Sequence, residues 1–301
     1  MNRAHFDDPP VPQASVRRGL GRLLVALGLL AFVSTTQCAE NPERLKVMTF
    51  NLRYASDRSP NAWPDRRPVM AECLRASAPD LIGTQEGVYA QLKDLASDLP
   101  AYDWIGLGRE GGSRGEFMAV FYRRDRFEPL EYDHFWLSDT PEVIGSSSWG
   151  NQVRRMTTWI RFRDRVTDRQ FYFFNTHLDH QVQISRETSA LLIRERIDAL
   201  KTTLPVLLVG DFNATAGANR AYDTLVGEAG FADLWLTAVE RRGQVVKTFH
   251  NYRGPEPGDN RIDWILARGS VRAEWAEILT CERRGQYPSD HFPVLAELWI
   301  E

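Results

Sequence analysis

The stretch LPVLLVGDFNA, residues 204–214, sets six apolar or proline residues in a row ahead of Gly210, Asp211, Phe212 and Asn213. A strand this apolar is covered on both faces, so the sheet that holds it needs a layer on either side. Comparable strand-like segments recur at 45–52, 80–86, 117–123, 156–162, 170–178, 261–267 and 294–300. Helical spacing appears between them at 68–76, 88–99 and 186–200, the last with apolar positions at Leu191, Leu192, Ile193, Ile197 and Leu200. Strands and helices mixed in one uninterrupted block predict a single α/β (α+β) domain over 41–301, with helices covering the sheets.

Residues 1–40 read differently. A polar stretch ends in Arg17, Arg18 and Arg22, LLVALGLLAFV follows at 23–33, and small and polar residues come next. Basic, apolar and small, in that order, is the pattern of an export signal. The apolar run is short for a membrane span. Cys38 stands where a lipoprotein carries its lipidated cysteine, but Gln37 and Thr35 fit that signal poorly. The expectation is therefore an exported protein, periplasmic or extracellular, with anchoring through Cys38 weakly signalled and left open.

Without residues 1–40 the chain holds 33 basic against 37 acidic residues. Proteins that grip long nucleic acid usually carry a basic excess, so nucleic acid is a disfavoured partner. Beyond Cys38, the cysteines are Cys73 and Cys281, both in apolar surroundings, and the expectation is that no disulfide framework forms. Nothing calls for an obligate protein partner, and a monomer is expected.

The question raised by GDFN is why a buried strand ends in a carboxylate and an amide. Taken alone, Gly, Asp and Asn suit a turn. The same thing happens six times, however. TFN ends at Asn51, TQE at Glu86, and FFNTHLDH brings out Asn175, His177 and Asp179. GDFN offers Asp211 and Asn213, RIDW carries Asp263, and SDHFP holds Asp290 and His291. Strand ends on one sheet edge converge, and α/β proteins place their sites there. Glu86, Asp290 and Asn51 are hard oxygen ligands with no cysteine nearby, which suits Mg²⁺, or Mn²⁺, rather than zinc. Asn and His side chains beside such a metal can hold a phosphate's non-bridging oxygens. An acid inside RIDWILA needs a buried partner, and His291 supplies one. Glu86 has a competing reading as the N-terminal cap of the helix at 88–99. His134 and His250 lack a motif and read as structural.

With these motifs in this order, residues 45–300 resemble the endonuclease/exonuclease/phosphatase superfamily of deoxyribonuclease I-like enzymes. The resemblance implies a four-layer sandwich of two packed mixed β-sheets flanked by helices, and a metal-dependent phosphoric ester hydrolase. It further implies that Glu86, helped by Asn51 and Asp290, holds Mg²⁺. Asp211 would orient or deprotonate the attacking water, and Asn213 would hold water and phosphate. Asp263 would buttress His291, which touches the scissile phosphate or moves a proton. Which of Asp211 and His291 is the base stays open. Asn175 and His177 would stabilise phosphoryl oxygens. Arg53 stands where some nucleases have a second acidic ligand, which favours one metal. SWGNQVRRMTTW (148–159) and NAWPDRR (61–67) resemble a secreted bacterial subgroup, so Arg53 and Arg155 become candidate phosphate-binding residues and Arg66 or Trp63 candidate cleft residues. The expected substrate is a small or glycan-linked phosphoester. A secreted nuclease, or a binding module that has lost its chemistry, are the alternatives.

Overall fold

The computed structural model describes residues 44–301, so the export-segment reading of residues 1–40 and Cys38 lies outside the described residues. Among the described residues, the strands are β1 (Leu45–Asn51), β2 (Leu81–Gln85), β3 (Gly87–Val88), β4 (Tyr102–Ile105), β5 (Glu116–Phe117), β6 (Val120–Arg123), β7 (Phe127–Trp136), β8 (Met156–Asp164), β9 (Gln170–His177), β10 (Val206–Asp211), β11 (Ala232–Asp233), β12 (Glu240–Arg242), β13 (Asp263–Arg268), β14 (Val271–Ile278) and β15 (Val294–Ile300). The long helices are α1 (Trp63–Ser77), α2 (Tyr89–Asp98) and α3 (Gln183–Ala199).

One sheet has the order β12-β14-β15-β1-β2-β6-β4, the second the order β11-β13-β10-β9-β8-β7, and β3 pairs with β5 in a small ribbon. Both large sheets mix parallel and antiparallel neighbours. Between them lies a buried core that includes Val47, Leu81, Phe171, Phe173, Leu207, Val209 and Ile265. Met70 and Leu74 of α1, with Leu92 and Leu95 of α2, pack on Met48, Phe50 and Ile82 on the other face of the first sheet. Ile193 and Ile197 of α3 do the same against Phe174, Leu208 and Leu266 of the second. The result is helix, sheet, sheet, helix. That four-layer order explains why β1, β2, β9 and β10 read as apolar on both faces: each side of each sheet is covered.

The sheets come very close at Gly83, where a Cβ would lie 2.3 Å from Val209 Cγ2 and 2.9 Å from Asn175 Oδ1. Only glycine fits there. The sequence reading misses β4, β14, the short strands β3, β11 and β12, and the longest strand, β7, whose FEPLEYDHFW carries Pro129 and several charges. It lies at the edge of its sheet, with a register shift between Pro129 and Glu131, where an unpaired side tolerates proline. α1 starts earlier than the expected residue 68, with proline near its first turn, where a missing N–H costs nothing.

The cysteine expectation is overturned. Cys73 of α1 is disulfide-bonded to Cys281, with Cα atoms 5.8 Å apart across a sequence separation of 208. No local spacing could have announced it, because the bond exists only once α1 has docked beside the segment that leads to Asp290. Closing a loop this long restricts the unfolded chain strongly. Replacing Cys281 by Ser should lower the unfolding free energy by about 2–5 kcal/mol, measured by denaturant titration of oxidised wild type beside the variant.

Candidate active site

Three strand registers assemble the centre. Asp211, the last residue of β10, pairs with His177 on parallel β9 and with Asp263 on antiparallel β13. Asn51, the last of β1, pairs with Gln85, one residue before Glu86. Asp290 and His291 arrive on the segment before β15. Ser289 pins that segment, its Oγ donating to Asn51 O at 2.6 Å and accepting from His291 N at 3.2 Å. Glu86 does not cap α2, whose N-cap is Val88. Its backbone takes φ +62°, a left-handed conformation unfavourable for a side-chain-bearing residue, which turns the carboxylate into the cleft.

The cleft encloses about 480 Å³ and is lined by Arg53, Glu86, Arg155, His177, Asp211, Asn213, Asp290 and His291, among others. Asn51 lies beneath, its Nδ2 donating to Glu86 Oε1 at 3.0 Å and to Asp211 Oδ2 at 2.9 Å. Asp211 Oδ2 is also 3.3 Å from His177 Nε2 and 3.8 Å from His291 Nε2, and Asp211 Oδ1 accepts from Asn213 N at 2.9 Å. His291 Nδ1 donates to Asp263 Oδ2 at 3.0 Å.

The partners assign protons. Arg155 Nη1, which can only donate, lies 3.0 Å from His177 Nδ1, so Nδ1 is bare and a neutral His177 carries its proton on Nε2, toward Asp211. The 3.0 Å approach of Asn213 Nδ2 to that same Nε2 is then a contact between two donors, and the Asn213 amide is committed instead to Leu178 O at 3.0 Å. Burial and then the neighbouring Arg155 hold the His177 pKa below its ordinary value. Burial also opposes a charge on His291, but Asp263 and Asp211 outweigh it and push this imidazole up to about 10. Burial would raise Asp211, yet His177 and His291 outweigh it and keep the carboxyl well below its usual range. At neutral pH the centre is thus a carboxylate between a neutral imidazole and an imidazolium.

Donor chemistry fits a hard divalent cation: candidate ligand atoms of Glu86, Asp211 and His177 lie within 4.8 Å of one another, without a thiol, and because both nitrogens of His177 are engaged the two carboxylates are the donors. Of the expected set Glu86, Asn51 and Asp290, Asn51 turns its nitrogen toward Glu86 while its Oδ1 accepts from Arg53 N at 2.9 Å. Arg53 itself lies between the two carboxylates, 3.6 Å from Glu86 and 3.6 Å from Asp290. The guanidinium therefore supplies positive charge at the point where both acids face the cleft.

The remaining candidates divide clearly. Arg155, 3% exposed, spans His177 and His180 with its two terminal nitrogens. Asn175 is kept from the cleft, although expected to touch substrate. It lies between the sheets, donating to Thr84 O and Ala119 O and accepting from Gln85. Trp63 and Arg66 do not line the cleft either. Trp63 donates to Asp94, and Arg66 is wholly buried among backbone carbonyls. His134 sits away from the centre beside Thr158, and His250 is stacked on Phe292 at 3.8 Å, both as expected. The cleft residues that sequence reasoning missed include Arg109, Glu116, His180 and Phe249. Arg109 belongs to the loop 106–115, which the sequence marks as a specificity loop without singling out a residue, while Glu116 directly after it and Phe249 carry no strand-end signal. His180, directly after Asp179, reads from the sequence only as a histidine near the NTH motif.

A sequence model of the Endonuclease/Exonuclease/phosphatase family matches residues 48–291. The chain belongs to that family. Its members are metal-dependent phosphoester hydrolases, and so is this protein. An Endonuclease/Exonuclease/phosphatase family protein from Bacteroides thetaiotaomicron is 36% identical, with TM-score 0.81 over 86% of this chain and 95% of that one. A mannosyl-6-phosphatase from the same organism is also 36% identical, with TM-score 0.79 over 84% of this chain and 99% of that one. D. rerio TDP2, solved with a single-strand DNA product, is 18% identical with TM-score 0.65 over 85% of this chain and 98% of that one, a likeness of fold alone.

The ion pair of the hydrolase centre can be tested directly. With Asp263→Asn, His291 keeps its burial but loses its principal counter-charge, so its proton should leave at lower pH. The basic limb of the kcat/KM pH profile should move down from about 10 by at least about one unit, with the loss of activity growing about tenfold per pH unit above the shifted limb. An unmoved limb would show that His291 owes its charge to something else.

Proposed function

We propose that this chain is an exported, Mg²⁺-dependent phosphomonoesterase that acts as a monomer on a small sugar phosphate or a glycan-linked phosphate. The observation that carries the reading is the pairing of cations inside the cleft. Arg53 faces Glu86 and Asp290, Arg109 faces Glu116, and Arg155 is held by two histidines. A polynucleotide track needs unpaired positive charge along the backbone path, whereas a cleft of about 480 Å³ with balanced charge suits one phosphate and one ring. The 36% identity to a mannosyl-6-phosphatase, across 99% of its chain, supports the same class. Export is supported by the basic, apolar and small order of residues 1–40 and by the Cys73–Cys281 disulfide, since such bonds persist in oxidising compartments.

In this reading Glu86, with Asp290 and Asp211 nearby, holds the Mg²⁺, which when bound polarises a phosphoryl oxygen as a Lewis acid. Asp211, ionised, orients the attacking water and takes its proton as the new P–O bond forms. His291, as imidazolium, holds a second phosphoryl oxygen, and Asp263 keeps it charged and turned toward the cleft. The ester P–O bond breaks, and the leaving alkoxide takes a proton from solvent. Arg155, on the cleft wall, supplies positive charge toward the remaining oxygens, and His177 stands beside it as a neutral imidazole.

Three substrates would be compared with Mg²⁺ and with chelator: mannose 6-phosphate, bis-p-nitrophenyl phosphate and single-stranded DNA. We expect metal-dependent release of phosphate from the sugar, lost with chelator and reduced about a hundredfold or more in Asp211→Asn. Preferential, salt-sensitive cleavage of DNA would replace this reading with a secreted nuclease.

A further inference from the structure

The cleft that holds His291 is also lined by a pair of residues that the hydrolytic scheme does not use. Arg109 Nη1 donates to Glu116 Oε2 at 2.6 Å, and both side chains line the cleft, with 11% and 16% of their surfaces exposed. Arg109 Nε is buried without a hydrogen-bond partner among the described residues. Burial, resisted by Arg109, pushes Glu116 up to about 7. A buried, half-satisfied ion pair costs stability, so a pair held in that state with its remaining exposed surface on a cleft wall points to a ligand that meets that surface.

The pair is held rigidly relative to the chemistry. Glu116 pairs in register with Val88 in the β3–β5 ribbon, and Gly87, which directly follows Glu86, pairs with Phe117. Arg109 N donates to Glu116 O at 2.9 Å, and Trp136 Nε1 donates to Arg109 O at 2.7 Å. The turn between them is tight: a Cβ on Gly108 would meet Arg114 O at 2.1 Å, and Gly115 adopts φ +76°. The backbone thus fixes Arg109 and Glu116 at a set distance from Glu86, independently of their own side-chain contact.

Resting on the phosphosugar reading above, we propose that Arg109 and Glu116 form a subsite that recognises sugar hydroxyls on the alcohol side of the phosphoester. A second phosphate does not suit the pair, because Glu116 would repel it. A hydroxyl does, since it donates to the carboxylate and accepts from the guanidinium at once. Adjacent hydroxyls of a pyranose ring present this combination repeatedly. Specificity follows from the same asymmetry. A ligand lacking the hydroxyl leaves charged, largely buried groups unsatisfied, a heavier loss than one missing apolar contact.

The test uses the wild-type Mg²⁺-loaded enzyme with mannose 6-phosphate, its 2-, 3- and 4-deoxy analogues, and p-nitrophenyl phosphate, which has no sugar hydroxyl. At least one deoxy analogue should lose tenfold or more in kcat/KM. In Glu116→Gln the ratio of kcat/KM for mannose 6-phosphate to that for p-nitrophenyl phosphate should fall by tenfold or more, chiefly through KM, and the penalty for the missing hydroxyl should shrink. Equal rates on all deoxy analogues would overturn the proposal with no variant needed. A Glu116→Gln enzyme that loses both substrates in parallel would overturn it too, by making the pair merely structural. If p-nitrophenyl phosphate is cleaved and no sugar phosphate is, the phosphosugar reading itself has failed, an outcome distinct from both.

Discussion

A buried carboxylate held between two imidazoles sets the terms for the rest of this structure. Asp211 is 1% exposed and could not remain charged there without compensation. His177, His291 and Asn51 provide it, and each comes from a different part of the chain. Two of them reach Asp211 only because β9, β10 and β1 end at the same level on facing sheets. The close approach at Gly83 keeps the sheets near enough for that convergence, so a packing constraint in the core is also an electrostatic constraint at the site.

The same centre shows how a proton inventory follows from geometry. Arg155 cannot lose its proton, and that one fact decides the tautomer of His177. Asp263 does the converse for His291, accepting its Nδ1 proton and stabilising its charge. Two histidines within reach of one aspartate therefore carry different charges. Their roles differ because their second neighbours differ.

Much of the fold was legible because its physics is local. Apolar runs required layers on both faces, and α2 and α3 lie within a few residues of where periodicity placed them. The site was legible where strands end in polar residues, since a shared sheet edge brings such ends together. What could not be read depends on contacts between distant segments. The Cys73–Cys281 bond is one case. Asn175 is another: only one strand step from His177 in side-chain direction, it points between the sheets and spends its amide on Thr84, Ala119 and Gln85. The loop 106–115 was legible as a specificity loop, but Arg109 and Glu116 could not be singled out, because they meet only when β3 and β5 pair.

Arg66 carries a different kind of consequence. Its five N–H groups meet five carbonyls, those of Asn61, Leu52, Pro288, Arg53 and Tyr54. That uses the full donor capacity of a guanidinium, and lysine could serve three of the five at most. Leu52 to Tyr54 leave β1 just past Asn51, and Pro288 leads directly to Asp290 and His291, so one side chain ties both lips of the cleft together. Neither lip can swing outward without stripping partners from a buried cation. The spacing of these two segments is therefore settled when the chain folds, before any ligand arrives.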